Sequence, residues 1–100
     1  MTLQSLRYLV AVVDTGSFSA AADVCFVTQP TLSTQLKRLE EVLGVTLIER
    51  TTKHVSVTRI GDQIVERARL ILAECDDIRD IGRGGENPFS EPIRVGVIST

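Results

Sequence analysis

Aromatic residues are scarce in this 100-residue chain, which has one tyrosine, three phenylalanines and no tryptophan. A core must therefore be assembled from Leu, Ile, Val and Ala. A chain of this length holds one small domain, or one domain plus an appendage. So small a core makes association with a second copy a natural source of further burial. Cysteine and histidine are equally sparse. Cys25 and Cys75 form no CxxC pair and His54 stands alone, which excludes the usual zinc spacings and fits a reduced, cytoplasmic setting. Long apolar runs are missing as well. Leu9–Val13 and Leu70–Ala73 fall far short of the ~18–20 residues that span a bilayer, so no membrane partner is expected. The N-terminal segment has no basic lead-in and no small-residue cleavage site, and reads as no signal peptide. Nor is there a GxSxG, a P-loop or a cluster of His, Cys and carboxylates. The expectation is a chain that is not an enzyme and uses no cofactor or metal.

What is present begins with an uneven charge distribution. The net charge is -2, but from Thr28 to Arg59 five cations (Lys37, Arg38, Arg50, Lys53, Arg59) face three carboxylates (Glu40, Glu41, Glu49). The acidity lies in the second half, so a basic contact surface in the first half is compatible with the acidic total.

Leu3, Leu6, Leu9, Val10 and Val13 recur at helical spacing and predict a helix over residues 3–14. Gly16 suits its C-terminal cap, and Ser17 can cap a short, alanine-rich second helix from Phe18 to about Val24. Phe26-Val27 is a brief connector. Thr28 opens a third helix, with Pro30 tolerated in a first turn whose N–H groups have no partner. Leu32, Leu36, Leu39 and Leu43 step along its buried face, and Gly44 ends it. Val45 and Leu47, then Val55 and Val57, alternate with polar residues around Arg50–Lys53 and predict a short hairpin. Thr58 can cap a long helix over 59–82, interrupted only at Gly61 in its first turn. Gly82-Arg-Gly-Gly ends it. Residues 83–92 read as a hinge, and 93–100, IRVGVIST, as a strand. That strand has no partner within the chain, so either it pairs with something else or the natural protein continues.

The expected fold is mainly α: a winged helix-turn-helix of three helices plus a short β-hairpin (1–58, motif about 18–37), followed by a long linker helix. The third helix carries the functional signal. An ordinary surface helix would mix carboxylates and lysines on its outer face. This one offers Thr28, Gln29, Thr31, Ser33, Thr34 and Lys37, mostly in its first two turns, the end that recognition helices present to base edges. Gln can pair with adenine, hydroxyls suit several bases, and a Thr methyl can touch thymine. The connector to the second helix is short, as the motif requires. Lys37 and Arg38 follow the base-reading turns, and Arg50, Lys53 and His54 lie on or near the hairpin. They are either a solvated loop tip or a wing that holds the DNA backbone or minor groove. A protein-binding adaptor on the same fold is the alternative, but it would expose Leu, Met or aromatics at this helix.

The run SFSAAADVCFVTQPTLSTQLKRLEEVLGVTLIER resembles the N-terminal domain of LysR-type transcriptional regulators. The resemblance is carried by Phe18, Ala21-Ala22, Gln29-Pro30, Leu32-Ser33, Gln35, Leu39-Glu40, Leu43-Gly44, Leu47, Arg50, Thr58 and Gly61. Within that family, CFVTQPTLSTQ and IRVGVIST are most similar to the peroxide-responsive OxyR group. The resemblance implies base contacts at Thr28, Gln29, Pro30, Ser33 and Thr34, phosphate contacts at Ser17, Ser19 and Arg50, and a minor-groove contact at Lys53 or His54. Two departures stand out: Ser19-Ala20 replaces a basic residue common in relatives, and Ile48 a common Phe.

Along the long helix, Ile64, Ala68, Ile71, Cys75 and Ile78 follow a heptad-like seam broadened by Val65 and Leu72. It either packs on the domain's own core or pairs with a second copy. At ~1.5 Å per residue the helix is a rod of roughly 36 Å, longer than a three-helix core covers, which favours a homodimer. Two reading heads would then face major grooves ~34 Å apart on an inverted repeat. Cys75 is either a small apolar filler or a site of cross-linking between copies; Cys25 reads as a core filler. The resemblance places reactive cysteines in a regulatory domain beyond residue 100, where Ser99 and Thr100 would border an effector pocket and a tetramer becomes possible. The expected function is sequence-specific double-stranded DNA binding in a peroxide or other small-effector response.

Overall fold

The computed structural model describes residues 1–50 and 54–84. Lys53, residues 85–92 of the expected hinge, and the expected strand 93–100 with Ser99 and Thr100 lie outside the described residues.

Each helix starts at a hydroxyl cap. Thr2 opens α1 (Leu3–Thr15): its Oγ1 accepts the Ser5 N–H at 3.1 Å, and Ser5 Oγ accepts the Thr2 N–H at 3.0 Å. This reciprocal pair satisfies two donors that the first turn leaves free. Ser17 Oγ accepts the Ala20 N–H at 3.1 Å and opens α2 (Phe18–Cys25). Thr28 opens α3 (Gln29–Leu43), and Thr58 opens α4 (Arg59–Gly82). α1 and α3 stop at Gly16 and Gly44, with φ of 70° and 69°. In that left-handed region a Cβ is unfavourable. α2 stops in the same conformation without a glycine: Phe26 has φ 59°.

The hairpin pairs β1 (Ile48–Arg50) with β2 (Val55–Val57) in antiparallel register, Ile48 opposite Val57 and Arg50 opposite Val55. The sequence predicts the first arm from Val45, and here the structure differs. Glu40, on the last turn of α3, accepts the Leu47 N–H at 2.7 Å and the Ile48 N–H at 3.2 Å. The Leu47 carbonyl accepts the Thr58 N–H at 3.0 Å. The backbone at Leu47 is therefore bonded to α3 and to the cap of α4, and the ladder starts one residue later.

The core is mostly aliphatic, as the composition requires, with Tyr8 and Phe18 as aromatic members. Leu6, Leu9 and Val12 of α1, Phe18, Ala21 and Ala22 of α2, and Leu32, Leu36 and Leu39 of α3 are buried together. Leu47, Ile48, Val65 and Ala68 close it. Leu9, Leu32, Leu39 and Leu47 are its largest fully buried aliphatics, and truncating any of them to Ala costs about 2–5 kcal/mol.

The linker helix divides in two. Ile64 packs against the core and Ala68 is 1% exposed. These two seam residues therefore serve their own domain, and Ala68 presents no surface to a second copy. Ile71 and Ile78 are exposed, while Cys75 is half-buried. The division has a local cause. Val65 and Ala68 face the core, and at the next residue Arg69 donates from Nη2 at 2.6 Å and Nη1 at 3.2 Å to the Asp14 carboxylate. That ion pair fastens α4 to the end of α1. Beyond Leu72, which still lines a cavity with Tyr8 of α1, α4 leaves the domain, and with this projection the molecule measures 54 × 26 × 18 Å.

Candidate nucleic-acid interface

Three elements converge on one open groove of about 330 Å³. The start of α2 contributes Ser17, Phe18 and Ser19; α3 contributes Gln29 and Ser33; the hairpin contributes Arg50 and His54. Six residues expected from sequence to touch DNA thus share a single concavity. No carboxylate lines it among the described residues. Its basic character comes from Arg50, whose Cζ lies 4.3 Å from the centroid of the Phe18 ring.

The rest of the α3 surface follows from helical geometry. At about 100° per residue, Gln29 and Ser33 form the flank toward α2 and the hairpin. Pro30, Thr34 and Lys37 form the crest, and Thr31 and Arg38 the opposite flank. All five are exposed. Arg38 stands about 180° from Gln29, so Arg50 and Arg38 bracket the crest from its two sides. A helix lying in a groove meets two walls, and this one carries a cation toward each. Lys37 sits one turn farther along the crest than Thr34 and also borders a shallow surface with Glu40, Glu41 and Gly44; of the expected base-reading set, Gln29 and Ser33 are the members that line the groove.

Two hydroxyls expected to read bases are already engaged. Thr28 Oγ1 accepts the Thr31 N–H at 3.4 Å and donates to Thr31 Oγ1 at 2.8 Å. The pair leaves one hydroxyl proton, that of Thr31, to offer outward. Val42, near the far end, is the large hydrophobic that α3 exposes among the described residues, so the start of this helix carries no apolar docking patch.

Sequence reasoning missed two contributors. Glu40 reads as an outward carboxylate on an amphipathic helix, yet it holds the residues that start β1 and so the strand that carries Arg50. Phe18 enters the sequence reading only as the start of the second helix and a residue carrying the family resemblance, yet it joins the core and its ring meets a cation from a distant segment. No periodicity signals either contact. At the other end of α2, Phe26 is 94% exposed. Beside it, Cys25 lines a second cavity with Tyr8, Val24 and Leu72. Burial pushes the Cys25 thiol above its ordinary range, against the opposing influence of Arg7. Cys25 is partly buried and packs against the core cluster.

Residues 3–62 match the model of a family described as bacterial regulatory helix-turn-helix protein, lysR family. Over 100 residues the chain is 41% identical to the hydrogen peroxide-inducible genes activator of Pectobacterium carotovorum subsp. carotovorum, covering all of this chain and 33% of that protein. The chain thus spans about a third of the length of the curated relatives it matches. Among solved structures, a full-length OxyR variant from Pseudomonas aeruginosa is 41% identical with a TM-score of 0.82, over 87% of this chain and 30% of that one. The BenM DNA-binding domain in complex with a benA site 1 DNA is 38% identical with a TM-score of 0.79, over 88% of this chain and 99% of that one.

Proposed function

The chain belongs to the LysR family of bacterial regulatory helix-turn-helix proteins, and from that premise we propose that it reads double-stranded DNA for a transcription regulator. The observation that carries this reading is the shared groove of Ser17, Ser19, Gln29, Ser33, Arg50 and His54. The BenM domain, bound to DNA in its solved structure, supports it.

In this reading α3 lies in the major groove with its first two turns against the bases. Gln29 pairs with one base edge, Ser33 and Thr34 reach the next, and Pro30 and Thr31 supply apolar contact and a hydroxyl. Arg50 and Arg38 hold phosphates on the two walls, Ser17 and Ser19 bring the first N–H groups of α2 to the backbone, and His54, with Lys53, forms the wing. These contacts fix register, and the bases decide sequence.

Two copies pair along the projecting half of α4. Leu70, Ile71, Ile78 and Ile81 are all exposed there. With Cys75 they fall within about 140° of the helix circumference. An apolar strip of that kind on a rod outside its own core is a surface for a partner helix. The paired heads then read an inverted repeat. Because the Pectobacterium carotovorum relative is named a hydrogen peroxide-inducible genes activator, the whole regulator is proposed to answer peroxide or another small effector, through sequence corresponding to the remaining two thirds of that relative.

The test starts with selection from a duplex library. Fluorescence anisotropy on the best inverted repeat and its scrambled version follows, at about 50 and about 200 mM salt. Preferential binding to the repeat, weakening steeply with salt, is expected. Gln29→Ala should remove about 1–3 kcal/mol of that preference, whereas Arg50→Ala should weaken both duplexes alike. Absence of binding to any duplex at the lower salt would overturn the proposal. Sedimentation should find a dimer at tens of micromolar, and a helical monomer at that concentration would remove the pairing along α4.

A further inference from the structure

Arg50 sits at the end of β1 and Phe18 at the start of α2. These elements are distant in sequence and adjacent in the fold. The guanidinium carbon lies 4.3 Å from the ring centroid, well inside the roughly 6 Å over which an aromatic face attracts a cation. The two partners differ in freedom. Phe18 is only 8% exposed, inside the core cluster, and its backbone follows directly on the Ser17 cap. Arg50 is exposed on a three-residue strand, and a free arginine there would sample many rotamers. A ring that cannot move therefore limits a side chain that can.

Stacking also fixes which part of the guanidinium stays available. A guanidinium stacked on a ring gives up its face and keeps its in-plane N–H donors, the arrangement that grips a phosphate through two parallel bonds. The groove wall containing this pair also holds Ser17, Ser19 and Gln29, so the donors open onto the same concavity as the base-reading flank of α3. We propose that Phe18 is a positioning residue for DNA binding: its ring pre-orients Arg50 toward the DNA backbone, so that less side-chain freedom is lost when the complex forms. This rests on the DNA-binding reading above and adds a residue that touches no DNA itself.

Ordering one flexible side chain costs about 0.5–1.5 kcal/mol on association. Loss of the ring should therefore weaken binding by about two- to tenfold. The test is a double-mutant cycle with Phe18→Leu, Arg50→Ala and the double variant, each titrated against the selected duplex, with melting temperatures recorded alongside. Phe18→Leu should weaken binding by that factor when Arg50 is present and leave it unchanged in the Arg50→Ala background. An equal loss in both backgrounds would mean that Phe18 acts only through the fold, and would overturn the proposal. Should Phe18→Leu fail to fold, Phe18→Met takes its place. A direct signature is independent of any variant: the Arg50 δ protons of the free protein should be shifted upfield in NMR by the ring current. Unshifted δ protons would also overturn it. If the unaltered chain binds no duplex, the DNA-binding reading falls. If it binds and Arg50→Ala does not matter, only the role of Arg50 and its ring falls.

Discussion

Replacing Gly61 by alanine separates general helix propensity from the packing at this junction. Inside an ordinary helix the exchange stabilises by up to about 1 kcal/mol. Gly61, though, is buried in the first turn of α4, where an added Cβ would overlap the Leu47 carbonyl oxygen and lie 3.0 Å from both Thr58 Oγ1 and Val57 Cγ1. The obstructing atom is backbone, so it cannot rotate away. It is also in use: the Leu47 oxygen accepts the Thr58 N–H at 3.0 Å, and the Thr58 hydroxyl, which donates to the Thr46 carbonyl at 2.7 Å, lies 3.2 Å from it. That hydroxyl oxygen in turn accepts the Gly61 N–H at 3.0 Å. Overpacking costs about 1–3 kcal/mol, and a weakened hydrogen bond adds about 1 kcal/mol. Against the propensity gain the net is a loss of about 1–3 kcal/mol, or roughly 5–20 °C in Tm for a domain of this size. Far-UV circular dichroism melts at one fixed protein concentration read it, since pairing makes Tm concentration-dependent. Gly82→Ala is the control, because a Cβ there meets nothing within 4 Å; it should leave Tm unchanged or raise it. A Gly61→Ala protein as stable as the original would refute the close approach of α4 to Leu47.

Glu40→Ala strips the Leu47 and Ile48 N–H groups of a charged acceptor and should cost about 2–3 kcal/mol in urea unfolding. It should also weaken DNA binding, because β1 carries Arg50. Asp14 is held below the ordinary carboxylate range by its hydrogen bonds to Arg69. Its contribution is thus complete above the unfolded value of about 3.9 and fades as pH falls through the lower folded value. Because the pair is half-exposed, Asp14→Asn should cost under about 1 kcal/mol at neutral pH. The gap between the two urea midpoints should close in acid; a gap that persists there would point to another cause. Phe26→Asn should raise Tm by a few degrees, since a left-handed backbone costs a residue of this kind about 1–2 kcal/mol and asparagine less. A fall instead would mean that the ring is covered by a second copy.

The helices were the legible part of the fold because their signals are local. Thr28 before Gln29-Pro30 marks the start of α3, and Thr58 marks that of α4 whatever surrounds them. The groove was legible residue by residue, through the polar start of α3 and the cations that follow. Its assembly was not, since Ser19, Gln29 and Arg50 meet only in three dimensions. The hairpin began later than its alternation suggests because Glu40 competes for the Leu47 N–H. A period of two cannot register a side chain seven positions upstream. The seam on α4 is one repeat in the sequence, and in the structure its first members, Ile64 and Ala68, pack on the core while Ile71 and Ile78 are exposed. Heptad spacing is the same whether the facing surface is α1 or another α4, and only the place where the domain ends distinguishes Ala68 from Ile78.

That dividing line matters for the DNA reading proposed above. α4 is fixed to the reading head at three levels: by Thr58 and Gly61 against Leu47, by Val65 and Ala68 in the core, and by Arg69 on Asp14. Among the described residues nothing between the groove and the projecting half of α4 resembles a flexible tether. In the dimer proposed above, the angle at which the helices cross is thereby converted directly into the separation of the two α3 helices. A tethered pair of heads would tolerate altered half-site spacing at little cost. This pair can accommodate it only by bending the DNA, at about 1–6 kcal/mol, or by giving up apolar contacts at Ile71 and Ile78. In that proposed dimer the residues that fasten α4 would act on operator choice even though none of them is placed against a base.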